Sequence, residues 1–259
     1  MTFYQRLDAA VAKNNSLVCV GLDSDITKIP PAFRSDQTPQ FSFNKSIIDA
    51  THDLVCAYKP NSAFYEARGA QGVTELKATC DYIREKYPDI VLILDAKRGD
   101  IGSTNEGYVS FAFEYLGADA ITLHPYLGKE ALAPFLNRKD KGCIILCRTS
   151  NPGAGEFQDG LSDRVASHVA NEWNGNANCA LVVGATYPEE LTRVRAIVGD
   201  MPILLPGIGA QGADTESAIK AGLNSKKAGL IVNSSRGILF AKNAREEAET
   251  LRTLINSYR

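Results

Sequence analysis

Short runs of aliphatic residues recur along the chain, each followed by a polar or glycine-bearing stretch. Segments 17–20, 55–58, 90–94, 120–123, 143–147, 180–183, 203–205 and 229–232 are apolar almost throughout rather than alternating. A short unbroken apolar run suits a strand buried on both faces, as in a parallel sheet. Between these runs the apolar spacing changes to intervals of three and four, the helical period. Segments 41–54 and 74–87 show it clearly, and Pro88 ends the second. Ser103-x-x-Glu106 and Thr186-x-x-Glu189 read as capping boxes, with Pro188 in the first turn of the helix that follows Thr186. Asp214 is placed to open a short helix, 244–258 is a charged amphipathic one, and a further helix over 2–12 precedes the first strand.

Strands alternating with helices at a repeat of roughly 30 residues are βαβ units in series. No linker or low-complexity segment interrupts them. The expectation is therefore an α/β fold over residues 1–259, a single (β/α)8 TIM barrel with an extra N-terminal helix. A doubly wound open sheet is the competing fold, but its G-x-G-x-x-G turn after the first strand is missing. Composition agrees: 44% hydrophobic and 22% charged residues are ordinary for a chain with a large core. A net charge of −2 argues against a general nucleic-acid or anionic-membrane surface, so a bound anion has to be met by local cations. No signal peptide is visible, and no apolar run approaches the ~18 residues of a membrane span. Cys19, Cys56, Cys80, Cys143, Cys147 and Cys179 form no C-x-x-C pair and sit mostly in apolar runs. They read as buried reduced thiols, and the compartment as cytoplasmic.

In a barrel of this kind the chemistry lies at the C-terminal ends of the strands. Segment 90–108, I-V-L-I-L-D-A-K-R-G-D-I-G-S-T-N-E-G-Y, runs from aliphatic residues straight into Asp95, Lys97, Arg98 and Asp100. Asp95 and Lys97 are two apart, so on a continuing strand both face the same side. Charge at the end of a buried strand is costly unless it is paired or acts on a ligand. Asp23 and Lys59 end the first two strands, and with Asp95, Lys97 and Asp100 they alternate in sign. A lysine flanked by carboxylates keeps its proton, which disfavours Schiff-base chemistry and favours a general acid. Such lysines also occupy positions a divalent ion would need, so no metal is expected. Beyond strands seven and eight, Gly207, Gly209, Gly212 and Arg236 offer close backbone approach and a forked cation, as a phosphate site requires. Each charge alone is as readily a solvated loop residue or a structural ion pair; the convergence of the set at one rim favours function. His124 ends strand four with no supported nucleophile nearby and reads as structural or supporting, while His52 and His168 fall within helices.

The D-A-K-R-G-D-I stretch, together with Asp23, Lys59, T-S-N-P-G-A and P-G-I-G-A-Q-G, resembles the orotidine 5′-phosphate decarboxylase family. The likeness runs from Val18 to Ile238 and is closest to the longer subclass, with its F-N-K-S-I-I-D-A-T, A-Y-K-P-N-S-A-F-Y-E, V-V-G-A-T-Y-P and N-S-S-R-G-I phrases. The resemblance implies conversion of orotidine 5′-monophosphate to uridine 5′-monophosphate and CO2, the last step of de novo UMP biosynthesis, with neither metal nor organic cofactor. It implies Lys97 as proton donor to C6, Asp95 beside the leaving carboxylate, and Lys59 bridging the acid network and the ribose. It further implies a homodimer in which Asp100, Ile101 and Thr104 complete the neighbour's site. Asp23 would hold ribose hydroxyls and Ser150 the pyrimidine edge, with Pro206 in the pocket wall. Gln211, Ser235 and Arg236 would take the phosphate. Two features depart from the commoner short form: a longer segment between Asp23 and Phe41, and an arginine set in S-S-R-G-I rather than G-R-x-I.

Two other functions share parts of this pattern. D-x-K-x-x-D also occurs in metal-dependent sugar-phosphate decarboxylases and related barrel enzymes, whose activity would be sensitive to chelation. A non-catalytic phosphate-ligand binder on the same barrel would bind UMP without releasing CO2.

Overall fold

The structure is a computed structural model and describes residues 1–208 and 214–259. Eight parallel strands close on themselves: β1 (Val18–Gly21), β2 (Ala57–Lys59), β3 (Val91–Arg98), β4 (Ala120–Leu123), β5 (Gly142–Arg148), β6 (Cys179–Val183), β7 (Ile203–Pro206) and β8 (Leu230–Ser234). They follow chain order, and β8 returns to pair with β1. The expected (β/α)8 barrel is thus observed, with helices between strands, and every expected apolar run carries a strand. The largest departure in bounds is informative: β3 continues beyond its apolar run through Asp95, Ala96, Lys97 and Arg98.

Strand alternation sorts the core into two sets. Leu92 and Leu94 of β3, Tyr58 of β2 and Ile121 and Leu123 of β4 face outward and pack beneath the helices. Val91, Ile93, Ala57, Ala120, Ile144, Ala180, Leu204 and Ile231 face inward and fill the barrel. The extra N-terminal helix, Phe3–Asn14, adds Phe3, Leu7 and Ala10 to this inner set and closes the N-terminal end. It is held by a capping box between Thr2 and Gln5. Gly142 makes room for it, since a Cβ there would lie 2.7 Å from Ala120 Cβ and 2.8 Å from the Phe3 ring. Each fully buried aliphatic or aromatic side chain of this kind contributes about 1.5–3 kcal/mol.

Two local expectations fail. The helix after β3 is Gly102–Val109 with Ile101 at its N-cap, so Ser103 lies inside the helix and caps nothing. Asn105 serves its N-terminus instead, accepting from the Asp100 N–H at 2.9 Å. After β6 the helix is Pro188–Val198 with Tyr187 at the N-cap and no side-chain cap; Thr186 is not a capping residue. There Pro188 presets the first turn, and Tyr187 lies over the Arg148 guanidinium at 4.7 Å. The Asp214 cap does form, on the Ser217 N–H. All six cysteines are buried and unpaired. No helix among the described residues is long and apolar enough to cross a membrane.

Candidate active site

The inward alternation that fills the barrel continues upward into polar residues. Val91 and Ile93 are followed on the same face by Asp95, Ala57 by Lys59, and Ala120 by Thr122. The next inward layer is therefore charged, and it forms the floor of a cavity of about 380 Å³ lined by Lys59, Asp95, Lys97, Thr122, Leu146, Ser150 and Pro206 among others. Asp95 is its centre. Its Oδ2 accepts from Lys59 Nζ at 2.8 Å, and its Oδ1 accepts from Lys97 Nζ at 2.7 Å and the Thr122 hydroxyl at 2.8 Å.

Lys97 does not simply continue the strand. Its φ of 47° lies in the left-handed region, and the β3–β4 register shifts between Leu94 and Arg98. A non-glycine residue there carries strain that the surroundings must hold in place. The hold is visible: the Lys97 N–H donates to Thr122 Oγ1 at 3.0 Å, and the same hydroxyl donates to Asp95. Thr122 thus fixes both partners. Reading only the residues beyond each apolar run passes over it, because it sits within the run 120–123. A polar residue on the inward face of that run was the available signal.

The electrostatics are those of a coupled buried pair. Burial alone would push the Asp95 carboxyl up, but the ammonium groups of Lys59 and Lys97 outweigh it and hold it far below the usual carboxylate range. Burial likewise works against the charged form of Lys59, and Asp95 and Asp23 more than offset that, raising its pKa. Lys59 is enclosed, whereas the Lys97 side chain is 49% exposed and so open to a bound molecule.

A second cavity of about 340 Å³ adjoins the first, sharing Ser150 and Pro206 with it. It is lined by Asp23, Asp25, Lys28, Gly207, Ser235 and Arg236 among others. The Asp23 Oδ1 is buried without a hydrogen-bond partner among the described residues, which leaves an acceptor for a ligand hydroxyl. β1 and β8 approach closely here: a Cβ on Gly21 would fall 1.9 Å from Ser235 Oγ, so only glycine permits Ser235 its place. Asn233, Asp25 and Lys28 join this wall without having been singled out as site residues. Gln211 lies outside the described residues.

Asp100, Ile101 and Thr104 are not brought to either cavity. They lie on the turn after β3 and in the first helical turn beyond it, with Ile101 61% exposed. His124 supports this turn: its N–H donates to the Arg98 carbonyl at 2.9 Å, and its ring and carbonyl pack against Gly99. Among the described residues, no three His, Cys, Asp or Glu side chains converge as a metal site would require.

Comparison with known proteins agrees with this geometry. Residues 16–251 match the family model described as "Orotidine 5'-phosphate decarboxylase / HUMPS family". The chain is 49% identical to the orotidine 5′-phosphate decarboxylase of Dechloromonas aromatica, covering 100% of both sequences. It is 48% identical to that of Cellvibrio japonicus, covering 100% of this chain and 97% of the relative. Among solved structures, the OMP decarboxylase of Leishmania donovani superposes with a TM-score of 0.89 at 37% identity, covering 100% of this chain and 98% of that one.

Proposed function

The chain belongs to the orotidine 5′-phosphate decarboxylase / HUMPS family, and on that premise we propose that it converts orotidine 5′-monophosphate to uridine 5′-monophosphate and CO2 without a cofactor. It is a carboxy-lyase like the relatives it matches. The observation that carries the reading is Asp95, buried and bridging Lys59 and Lys97 beneath a cavity that shares Ser150 and Pro206 with one lined by Arg236.

In this reading the phosphate is met by Arg236, Ser235 and Gln211, and the ribose hydroxyls by Asp23 and Lys59. The pyrimidine lies against Ser150 and Pro206, which are common to both cavities. Its C6 carboxylate then reaches the Asp95–Lys97 pair. The bond from C6 to the carboxylate breaks, CO2 leaves, and the electron pair stays on C6 in an sp2 orbital that cannot delocalise into the ring carbonyls. Lys97 stabilises that pair electrostatically and gives it a proton, and water returns the proton to the amine. Fixing the ammonium in advance removes the reorganisation that water would need. Binding energy from the remote phosphate positions the reacting end.

The same reading takes the enzyme as a cytoplasmic single-domain homodimer whose subunits exchange Asp100, Ile101 and Thr104. The exposure of Ile101 (61%), Tyr126 (88%) and Leu127 (45%) on adjacent loops supports an apolar contact there.

The deciding assay is loss of orotidine 5′-monophosphate absorbance with chelator present. Wild-type protein should turn the substrate over, while Lys97→Ala should stay folded and lose that turnover. Substantial activity in Lys97→Ala would remove Lys97 as proton donor, and sedimentation showing only monomer at micromolar concentration would contradict the exchanged site.

A further inference from the structure

We propose that Asn105 is a positioning residue that fixes Asp100 and Ile101 in the orientation offered to the neighbouring subunit. The inference rests on the exchanged-site reading above. Asn105 is completely buried, and its amide is fully committed. Its Oδ1 accepts from the Asp100 N–H at 2.9 Å, and its Nδ2 donates to the Asp100 carbonyl and to the Ala131 carbonyl, each at 2.6 Å. The first two bonds close a ring on the main chain of one residue, amide against amide. The third ties that ring to the helix Gly128–Leu136 of the following βα unit.

This is not an ordinary cap. Asn105 lies inside the helix Gly102–Val109, where asparagine is a poor helix former. A polar side chain buried there has to be matched by its hydrogen bonds, and two of the three hold the turn at Asp100 while the third anchors it to Ala131. The other end of the turn is held too. A Cβ on Gly99, whose φ is 151°, would lie 2.8 Å from the His124 carbonyl oxygen and 3.0 Å from its Nε2. His124 also accepts no freedom from Arg98, since its N–H donates to that carbonyl.

The side chains of the clamped turn find little to do in their own subunit. The Asp100 carboxylate forms no ion pair among the described residues and accepts from the next N–H, of Ile101, at 2.7 Å. A locked main chain that carries an unpaired carboxylate and an exposed isoleucine presents them outward. Catalysis is sensitive to such placement, and a displacement of about 1 Å costs roughly a hundredfold in rate.

Mixed dimers test this. Lys97→Ala and Asp100→Asn are first mixed as a control; each should be inactive alone. In the mixed dimer one site holds both Lys97 and Asp100, so about a quarter of the wild-type sites should return at equal mixing of a two-fold dimer. If none returns, the exchanged-site reading fails and the role of Asn105 falls with it. Asn105→Ala alone should lose about a hundredfold in kcat/KM, mostly in kcat. Mixed with Lys97→Ala, its intact lysine receives Asp100 from a subunit that keeps Asn105, and that site should turn over at the wild-type rate. If the control succeeds and this mixture stays impaired, Asn105 acts within its own subunit and the inference is overturned. Unchanged activity of Asn105→Ala homodimers would overturn it as well. Asn105→Asp keeps the volume and the acceptor but loses both donors, and gives the same reading if the alanine variant does not fold.

Discussion

Replacing Asp95 by asparagine keeps the shape of the side chain and removes the carboxylate on which two ammonium groups converge. Lys59 suffers most, because its side chain is only 4% exposed and its ion pair is 2.8 Å long. Lys97 is half exposed, so water replaces much of what it loses. Stripping one partner from a buried pair costs about 3–5 kcal/mol, since the other charge stays desolvated. Against a total stability of about 5–15 kcal/mol, the variant should fold but unfold earlier. For a chain of this length that corresponds to a fall in Tm of roughly 6–20 °C. The assay is urea and thermal unfolding at pH 7 of Asp95→Asn, Lys59→Met and the double variant, followed by circular dichroism. The double variant leaves neither member of the Lys59–Asp95 pair buried without the other and should be more stable than the two single losses sum to, with a coupling of at least about 2 kcal/mol. All three variants lack a residue of the site, so the comparison is independent of activity. A coupling within about 0.5 kcal/mol of zero would refute the buried-pair account.

The same pair sets two pH limits. Asp95 is held below its ordinary 3.8, so its contribution is complete above that value and is lost as pH falls toward its lower folded pKa. Lys59 is raised above 10.5, so its contribution is complete below that value and is lost as pH rises through its higher folded pKa. Unfolding free energy measured from pH 2 to 11 should therefore fall at both ends, and Asp95→Asn should flatten the acid limb and shrink the alkaline fall, because it brings the folded pKa of Lys59 down toward or below its unfolded value. Arg236→Ala should cost about 2–5 kcal/mol of binding, roughly 30- to 5000-fold, seen as a raised KM and as weakened inhibition by UMP; unchanged KM would remove Arg236 from the phosphate site. Phe3→Ala should cost about 3–5 kcal/mol by opening a cavity at the closed end of the barrel, while leaving KM unchanged in the folded fraction.

What the sequence discloses follows the range of the interactions. The eight strands are legible because a strand buried on both faces leaves an unbroken apolar run, a signal contained in four or five adjacent residues. Asp95, Lys97 and Lys59 are legible because a charge at the end of such a run has few structural uses. Thr122 is not, since its value comes from a hydroxyl that meets Asp95 across a strand pair and 27 residues of chain. Nor is the left-handed turn at Lys97, which the cross-strand bond to Thr122 holds. The two failed capping boxes share one cause. At Ser103 and Thr186 the local pattern is present, but the chain entering each helix is placed by more distant groups: Asn105 with Ala131 in one case, Tyr187 over Arg148 in the other.

The architecture also explains why this site has the charge it has. Inward layers of a barrel are close-packed, and Val91 and Ile93 are fully buried on the same face below Asp95. A lone carboxylate at that level would be protonated by its surroundings, and a lone lysine would lose its proton. Placing Asp95 between Lys59 and Lys97 holds the Asp95 carboxyl down and the Lys59 pKa up, and it sets two amines against one carboxylate. Asp23 lies close enough to Lys59 to raise its pKa, yet its carboxylate is turned into the neighbouring cavity. With Asp23 and Asp95 both acting on Lys59, the ammonium left open to the cavity is that of Lys97. An ammonium whose counter-ion is shared and whose tip is open attracts negative charge arriving from the cavity side. In the proposed reaction that charge comes first as a carboxylate and then as an electron pair on carbon. The second is the more localised, and a fixed cation favours it more strongly than the first, which is the condition for catalysis rather than binding alone.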